Sequence, residues 1–493
     1  MKPYKKYKTY QWLRNRNQQR GKIIMFISAL LLLLFLSKLS LAQDSLPGKT
    51  LSADQVLEIV KKFHPVAKQA DIFVEKAKAD VTIARGGFDP SIKNESAQKT
   101  FDGTDYYYYN RPELTIPTWF GIEISGGTEF LSGNRTDPVE TKGETNFIGV
   151  SIPLAKNLLM DKRRAALQTA KIFRDASAAE RRNILNNLLL DAMKTYWSWV
   201  FYYQQYKILS EAVIVNEQRV AFVTTAFRLG DRPAIDTTEA IAQLQSFELL
   251  KTKAWLDFQN TGLELSVFLW TTNSTPYYLP TDVIPEKSGF IPDVAEAVLP
   301  ELTSLLEAAK KNHPELLIYD YKLDVLAVEK KLKFQELLPA INFSYNQLGK
   351  GYDLLKTTRA PLFENNFRYG LSLGIPLRLS EGRGEYKKAK LKITETRLQF
   401  NQKQWQVETK VRSYFNELVT LKTQVSLQEK VYKNYLALQK GEEIRFQSGE
   451  SSLFLVNARE TKTLEALQKL QELKASYFKT ENMLKWAAGI LGT

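Results

Sequence analysis

A chain of 493 residues without cysteine has no disulfide, no thiolate metal site and no cysteine to lipidate. Its 68 Lys and Arg against 54 Asp and Glu give a net charge of +14, a balance that taken alone would point to nucleic acid. The first 42 residues hold nine of those bases and no acid; the 59 that remain against 54 acids leave +5, and the case for nucleic-acid binding goes with the segment.

That segment, 1–42, reads as a signal peptide. Lys2, Lys5, Lys6, Lys8, Arg14, Arg16, Arg20 and Lys22 precede an apolar stretch at 23–36, interrupted only by Ser28, and Ser40-Leu41-Ala42 offers a cleavage site before Gln43. The apolar stretch is short for a spanning helix, and no later segment reaches the roughly 18 apolar residues such a helix needs. An exported chain of this kind is either soluble or enters a membrane as a β-barrel, the other way to satisfy every backbone hydrogen bond.

Residues 43–271 and 301–493 are two copies of one unit, separated by a proline-rich linker at 272–300. Lys61-Lys62-Phe63-His64-Pro65 recurs as Lys310-Lys311-Asn312-His313-Pro314, Ile152-Pro153-Leu154 as Ile375-Pro376-Leu377, and Phe227-x-x-Gly230 as Phe446-x-x-Gly449. Each copy predicts a helix, strands, a very long helix, a Gly turn and a closing helix. Strands are expected at about 90–155 and 340–379, long helices at 155–229 and 385–448, tips at 230–235 and 449–450, and closing helices at 236–270 and 451–488. The long helices would be rods of roughly 95–110 Å at 1.5 Å per residue. Rods of that length must pack lengthwise on other rods, so the fold class is α+β, mostly α. The aromatic run 196–203 is read as such packing, and Arg163-Arg164 and Arg181-Arg182 as solvated helix faces.

In the strand regions Phe120, Ile122, Ile124 and Ile341, Phe343, Tyr345 alternate with small or polar residues, as do Ile148, Val150, Ile152 and Leu371, Leu373, Ile375, the pattern of a sheet with one apolar face. The last six are candidate lipid-facing positions. Two clear strands per half make four per chain, too few to close a barrel, which would have to be shared between subunits. The first half has 63 residues from Pro90 to Pro153 against 37 from Pro339 to Pro376. About one extra hairpin or a long loop is expected there, around 133–143.

The only two histidines, His64 and His313, precede prolines at helix junctions; a turn role fits them, and a metal site would need further ligands. No phosphate loop, nucleophile elbow or paired metal motif occurs, so neither enzyme activity nor a cofactor is expected.

The doubled order of His64-Pro65 and His313-Pro314, Pro90 and Pro339, Pro153-Leu154 and Pro376-Leu377, and Gly230 and Gly449 resembles the TolC-type outer-membrane efflux and secretion duct family over residues 51–490. The resemblance implies a homotrimer in the bacterial outer membrane. Its α-helical barrel would form a periplasmic tunnel continuous with a twelve-stranded transmembrane β-barrel, four strands from each subunit. It implies that the tip (Gly230, Asp231, Arg232, Gly449, Glu450) meets a periplasmic adaptor protein and, through it, an inner-membrane pump. The gate candidates are Asp236, Phe446, Leu455 and Ala458. Here Leu455 and Ala458 replace the acids of the best-known members, and Phe446 lacks the hydroxyl that usually partners the acid at Asp236. The alternative reading is a periplasmic coiled-coil scaffold or adaptor with a soluble β-domain.

Overall fold

In the first half, α1 (Ala53–Phe63) and α2 (Pro65–Arg85) lead into β1 (Ser91–Phe101), β2 (Thr104–Pro117), β3 (Glu123–Ser132) and β4 (Gly143–Pro153), then α3 (Lys162–Arg228) and α4 (Ala234–Ser266). The second half runs α5 (Leu302–Asn312), α6 (Pro314–Gln335), β5 (Ala340–Lys350), β6 (Phe367–Gly374), α7 (Ser380–Gln447) and α8 (Leu453–Ala487). The computed structural model describes residues 50–134, 141–286, 294 and 297–491. The expected signal peptide and part of the linker lie outside them.

Two helix starts differ from expectation. α3 begins at Lys162 rather than 155, because Asp161 Oδ1 caps it by accepting the Arg164 N–H at 2.8 Å. The chain just before it still follows the sheet: the Leu154 N–H donates to Ile341 O at 2.7 Å and the Lys156 N–H to Pro339 O at 3.0 Å. α7 begins at Ser380 rather than 385 and takes in Gly382 and Gly384. Gly382 is needed there, since a Cβ would stand 2.7 Å from Glu336 O where α7 meets the end of α6. At 67 and 68 residues, α3 and α7 are rods of about 100 Å.

Each His-Pro marks a break between two helices. His64 ends α1 and caps α2, its Nδ1 accepting the Val66 N–H at 3.1 Å with Pro65 in the first turn. Its ring lies 6.2 Å from Phe268 and 6.0 Å from Trp270, just past the end of α4. α2 and α4 therefore meet end to end and both lie along α3. In the second half α6 and α8 do the same, with Gly489 so close that a Cβ would come within 2.9 Å of His313 Cα. The helices form a row: α2/α4, α3, α6/α8, α7. Continuous rods alternate with broken ones.

The row is held by aromatic packing where α2 and α4 meet. Trp199, 1 % exposed, stacks on Phe258, and Trp197 stacks on Phe478 of the other half at 4.5 Å. Tyr196 donates its hydroxyl to Leu51 O at 3.2 Å.

Among the described residues one antiparallel sheet runs β1-β2-β3-β4-β5-β6. Among the described residues six strands, not four, make up this sheet. The extra hairpin is β1–β2, turning at Asp102-Gly103, both in the left-handed region, the type I′ signature of Asp-Gly. It lies upstream of 133–143, which instead connects β3 to β4 and is partly outside the described residues. The mostly polar residues of β1 and the unbroken tyrosines of β2 conceal the period-2 pattern that betrays the other strands.

Where helices meet sheet, Arg163 pairs with Glu123 at 2.7 Å and Lys156 with Glu336 at 2.6 Å. Arg164 pairs with Asp161 and donates to Leu158 O at 3.0 Å. Arg163 and Arg164 thus brace the junction rather than lie solvated. Arg181 pairs with Asp71 across α3 and α2.

Burial drives the His313 imidazole down to about 4 from an ordinary value near 6.5; Lys410 and Lys403 push the same way and Glu315 opposes them. The folded value lies below the unfolded one, so this stability is complete above pH 6.5 and is lost as pH falls toward 4. At about 1.4 kcal/mol per pKa unit the loss is on the order of 3 kcal/mol. We expect the thermal midpoint to drop across that interval and His313→Asn to flatten the drop, measured by circular dichroism.

Candidate functional site

The far end of the helical row is built from two identical stops. Gly230 has φ +83° and Gly449 φ +80°. The Gly230 N–H donates to Phe227 O at 3.0 Å and the Asp231 N–H to Ala226 O at 2.9 Å; the Gly449 N–H donates to Phe446 O at 3.1 Å and the Glu450 N–H to Arg445 O at 2.8 Å. Both are Schellman motifs, which need a left-handed residue and so select glycine. The closing helices start at Ala234 and Leu453 rather than 236 and 451. Ser452 caps α8 by accepting the Leu455 N–H at 3.4 Å.

The two hairpin ends are joined by a small apolar core of Val223, Ala240, Phe446, Leu453 and Val456, one or more from each of α3, α4, α7 and α8. Arg232 closes it. Its guanidinium lies 3.8 Å over the Phe446 ring, donates to Phe446 O at 2.8 Å and stands 3.7 Å from Asp236. The aromatic face attracts the cation directly, so the missing hydroxyl at Phe446 is answered by a different contact. Asp236 is turned to Arg232.

One level deeper, Arg219 of α3 sits in a polar cluster that sequence reading missed. Its side chain is 10 % exposed and pairs with Glu460, 4 % exposed, on α8. Asn216 Oδ1 accepts from Arg219 at 3.0 Å, Asn457 Oδ1 accepts at 3.3 Å, and Asn216 Nδ2 donates to Glu460 at 3.1 Å. Nothing in the sequence around Arg219 separates it from an ordinary surface arginine on a long helix.

Gly230, Asp231, Gly449 and Glu450 are exposed at the extreme end, as are Leu455 and Ala458. Beside them Leu229, Ile235 and Phe454 are exposed apolar side chains, also missed. Arg232 and Phe446 face inward and hold the two hairpins together.

At the other end, strand pairing assembles one apolar face. Ile152 lies opposite Phe343, Val150 opposite Tyr345, Phe343 opposite Leu371 and Ile341 opposite Leu373. Ile124 opposite Val150, and Ile116 opposite Ile124, extend it across β3 and β2. Leu371 and Leu373 are 64 % and 71 % exposed. Ile148 also lies on this face; Ile375 is exposed but falls one residue beyond β6. The opposite face is polar: Arg111 lies 4.5 Å over Phe147 and pairs with Glu113 at 3.2 Å and Glu129 at 3.8 Å. The polar end of the apolar face is covered. Asn146 donates to Gly351 O at 2.7 Å and accepts from Thr357, while the Phe363 N–H donates to the Tyr345 hydroxyl at 2.9 Å.

Among the described residues no helix is long and apolar enough to cross a membrane, and no cluster of metal-ligating side chains occurs. No family model matches the sequence, and no curated protein matches it. Solved structures do match. The Campylobacter jejuni CmeC outer membrane channel aligns with a TM-score of 0.61 at 16 % identity, over 89 % of this chain and 86 % of that one. The fold is that of the TolC-type outer-membrane channels. The outer membrane protein VceC of Vibrio cholerae, TM-score 0.60 at 14 % identity, covers 89 % of this chain and 96 % of its own. The open state of the Neisseria gonorrhoeae MtrE outer membrane channel, TM-score 0.61 at 12 % identity, covers 89 % of each.

Removing Arg219 leaves the Glu460 carboxylate buried without its cation, a loss on the order of 3–5 kcal/mol. We expect Arg219→Ala to lower the thermal midpoint and expose the tip to proteolysis, and Glu460→Gln added to it to recover part of the loss.

Proposed function

We propose that this chain is an outer-membrane exit duct of a tripartite efflux or type I secretion system, working as a homotrimer. The observation that carries the proposal is the apolar sheet face, which no part of the described chain covers over Leu371 and Leu373. A band of that kind is what lipid requires of a β-barrel. The two edges of the helical row support the trimer. Leu249, Leu256 and Leu263 on α4, and Leu391, Leu398 and Trp405 on α7, are exposed at intervals of seven, the spacing of a coiled-coil seam. Three copies side by side cover both stripes and close the tunnel.

The duct performs no chemistry. The exposed Leu229, Ile235 and Phe454 around Asp231 and Glu450 suit an adaptor that docks by apolar contact, with the pump reached through the adaptor. Opening is passive and follows docking: the tips move apart and widen the passage. With Leu455 and Ala458 where acids would otherwise ring the entrance, the gate exerts little pull on cations.

Fractionation of a bacterium expressing the full chain should place it in the outer membrane as a trimer. Leu371→Lys, a charge in the apolar band costing about 2–4 kcal/mol at the bilayer midplane, should deplete it from that membrane. Recovery of the wild type in the soluble periplasm would instead favour the scaffold reading. In planar bilayers the open duct should show weak cation preference; strong cation selectivity with block by divalent ions would refute that part.

A further inference from the structure

Six strands per chain bear on the size of the exit. We infer that three copies of this chain close an eighteen-stranded barrel, β1 of one copy pairing with β6 of the next, in place of the twelve-stranded barrel the resemblance implies. The inference rests on the duct reading above.

Closure around a ring of identical sheets requires the two edge strands to run antiparallel, so an even number of strands must come from each copy. All five pairings within the chain are antiparallel. Four strands or six satisfy the rule; five do not. Four would require β2 to leave β3, and β2 is fixed there. Its Arg111 lies over Phe147 and pairs with Glu129, whose side chain is 7 % exposed. Phe147 can lie flat because β3 has Gly127 beneath it, where a Cβ would be 3.2 Å from the ring. Pulling β2 away breaks that ion pair and uncovers the ring. Leu114 and Ile116 of β2 also continue the apolar face. With β2 in the wall, β1 must be in it too.

The composition of β1 says what lies against it. On the apolar side it offers Ile92, then Asn94, Ser96 and Gln98, opposite Leu114, Pro112, Asn110 and Tyr108. Left as a free edge, that polar row would meet lipid together with unpaired backbone N–H and C=O groups. Paired with β6 of a second copy, the row lies between Tyr108 on one side and the partner's Phe367, Tyr369 and Leu371 on the other. Large side chains reach across to diagonal neighbours, so these rings roof over it. Barrel diameter grows about linearly with strand number, so the passage is roughly 1.5 times wider than with twelve strands.

The absence of cysteine makes a clean test possible. Directly opposed strand residues have Cα atoms about 4.5–5.5 Å apart, within disulfide reach. One of Asn94→Cys, Ser96→Cys or Gln98→Cys would be combined with one of Tyr369→Cys, Leu371→Cys or Leu373→Cys, and outer membranes oxidised with copper phenanthroline. At least one register should give a covalent trimer in more than half of the protein. Ile124→Cys or Thr128→Cys on β3 with the same β6 positions should give none. Cross-linking through β3 instead of β1 would overturn the inference in favour of twelve strands, and so would the absence of any β1–β6 cross-link in variants that native electrophoresis shows to be trimeric. A wild type that is no outer-membrane trimer would sink the duct reading itself.

Discussion

A helix of about 100 Å cannot satisfy its apolar stripe with any single helix of ordinary length, and this chain contains two of them. The response is to lay two shorter helices end to end along each rod. That places a junction half-way down the wall in both halves, and the chemistry of the junction follows: a histidine that stops one helix and starts the next, a proline that needs no N–H donor in the first turn, and, in the second half, a glycine that lets the chain end approach His313. The same constraint leaves apolar stripes on the outermost rods, α4 and α7, where a single chain has no further rods to offer.

The sheet faces the corresponding constraint in two dimensions. Its apolar face and its two free edges are both unfinished in one chain. Helix row and sheet are therefore incomplete along the same two flanks. The junction residues Arg163, Glu123, Lys156 and Glu336 hold sheet to helices, so the position of one sets that of the other.

The duplicated His-Pro, the proline boundaries and the two tip glycines made the order of elements legible in the sequence, because each reports a backbone requirement that only one residue type meets well. Alternation revealed β3, β4, β5 and β6, whose apolar faces are continuous. β1 escaped because neither of its faces is apolar, and β2 because Tyr106-Tyr107-Tyr108-Tyr109 gives both faces the same residue. Arg232 was read as part of the exposed tip, yet its partner Phe446 is 214 positions away; no local pattern announces such a contact. Arg219 and Glu460, on different halves, escaped for the same reason.

Those two arginines have a mechanical meaning. Each ties the hairpin end of one half to that of the other, Arg232 through an aromatic ring and Arg219 through a buried carboxylate. The two ends of a subunit cannot separate without breaking both contacts, so they travel together. In the proposed trimer three parts, not six, would move at the mouth. Freedom to move would then lie along the seams between copies, and the contacts between the two unequal halves stiffen each part rather than divide it.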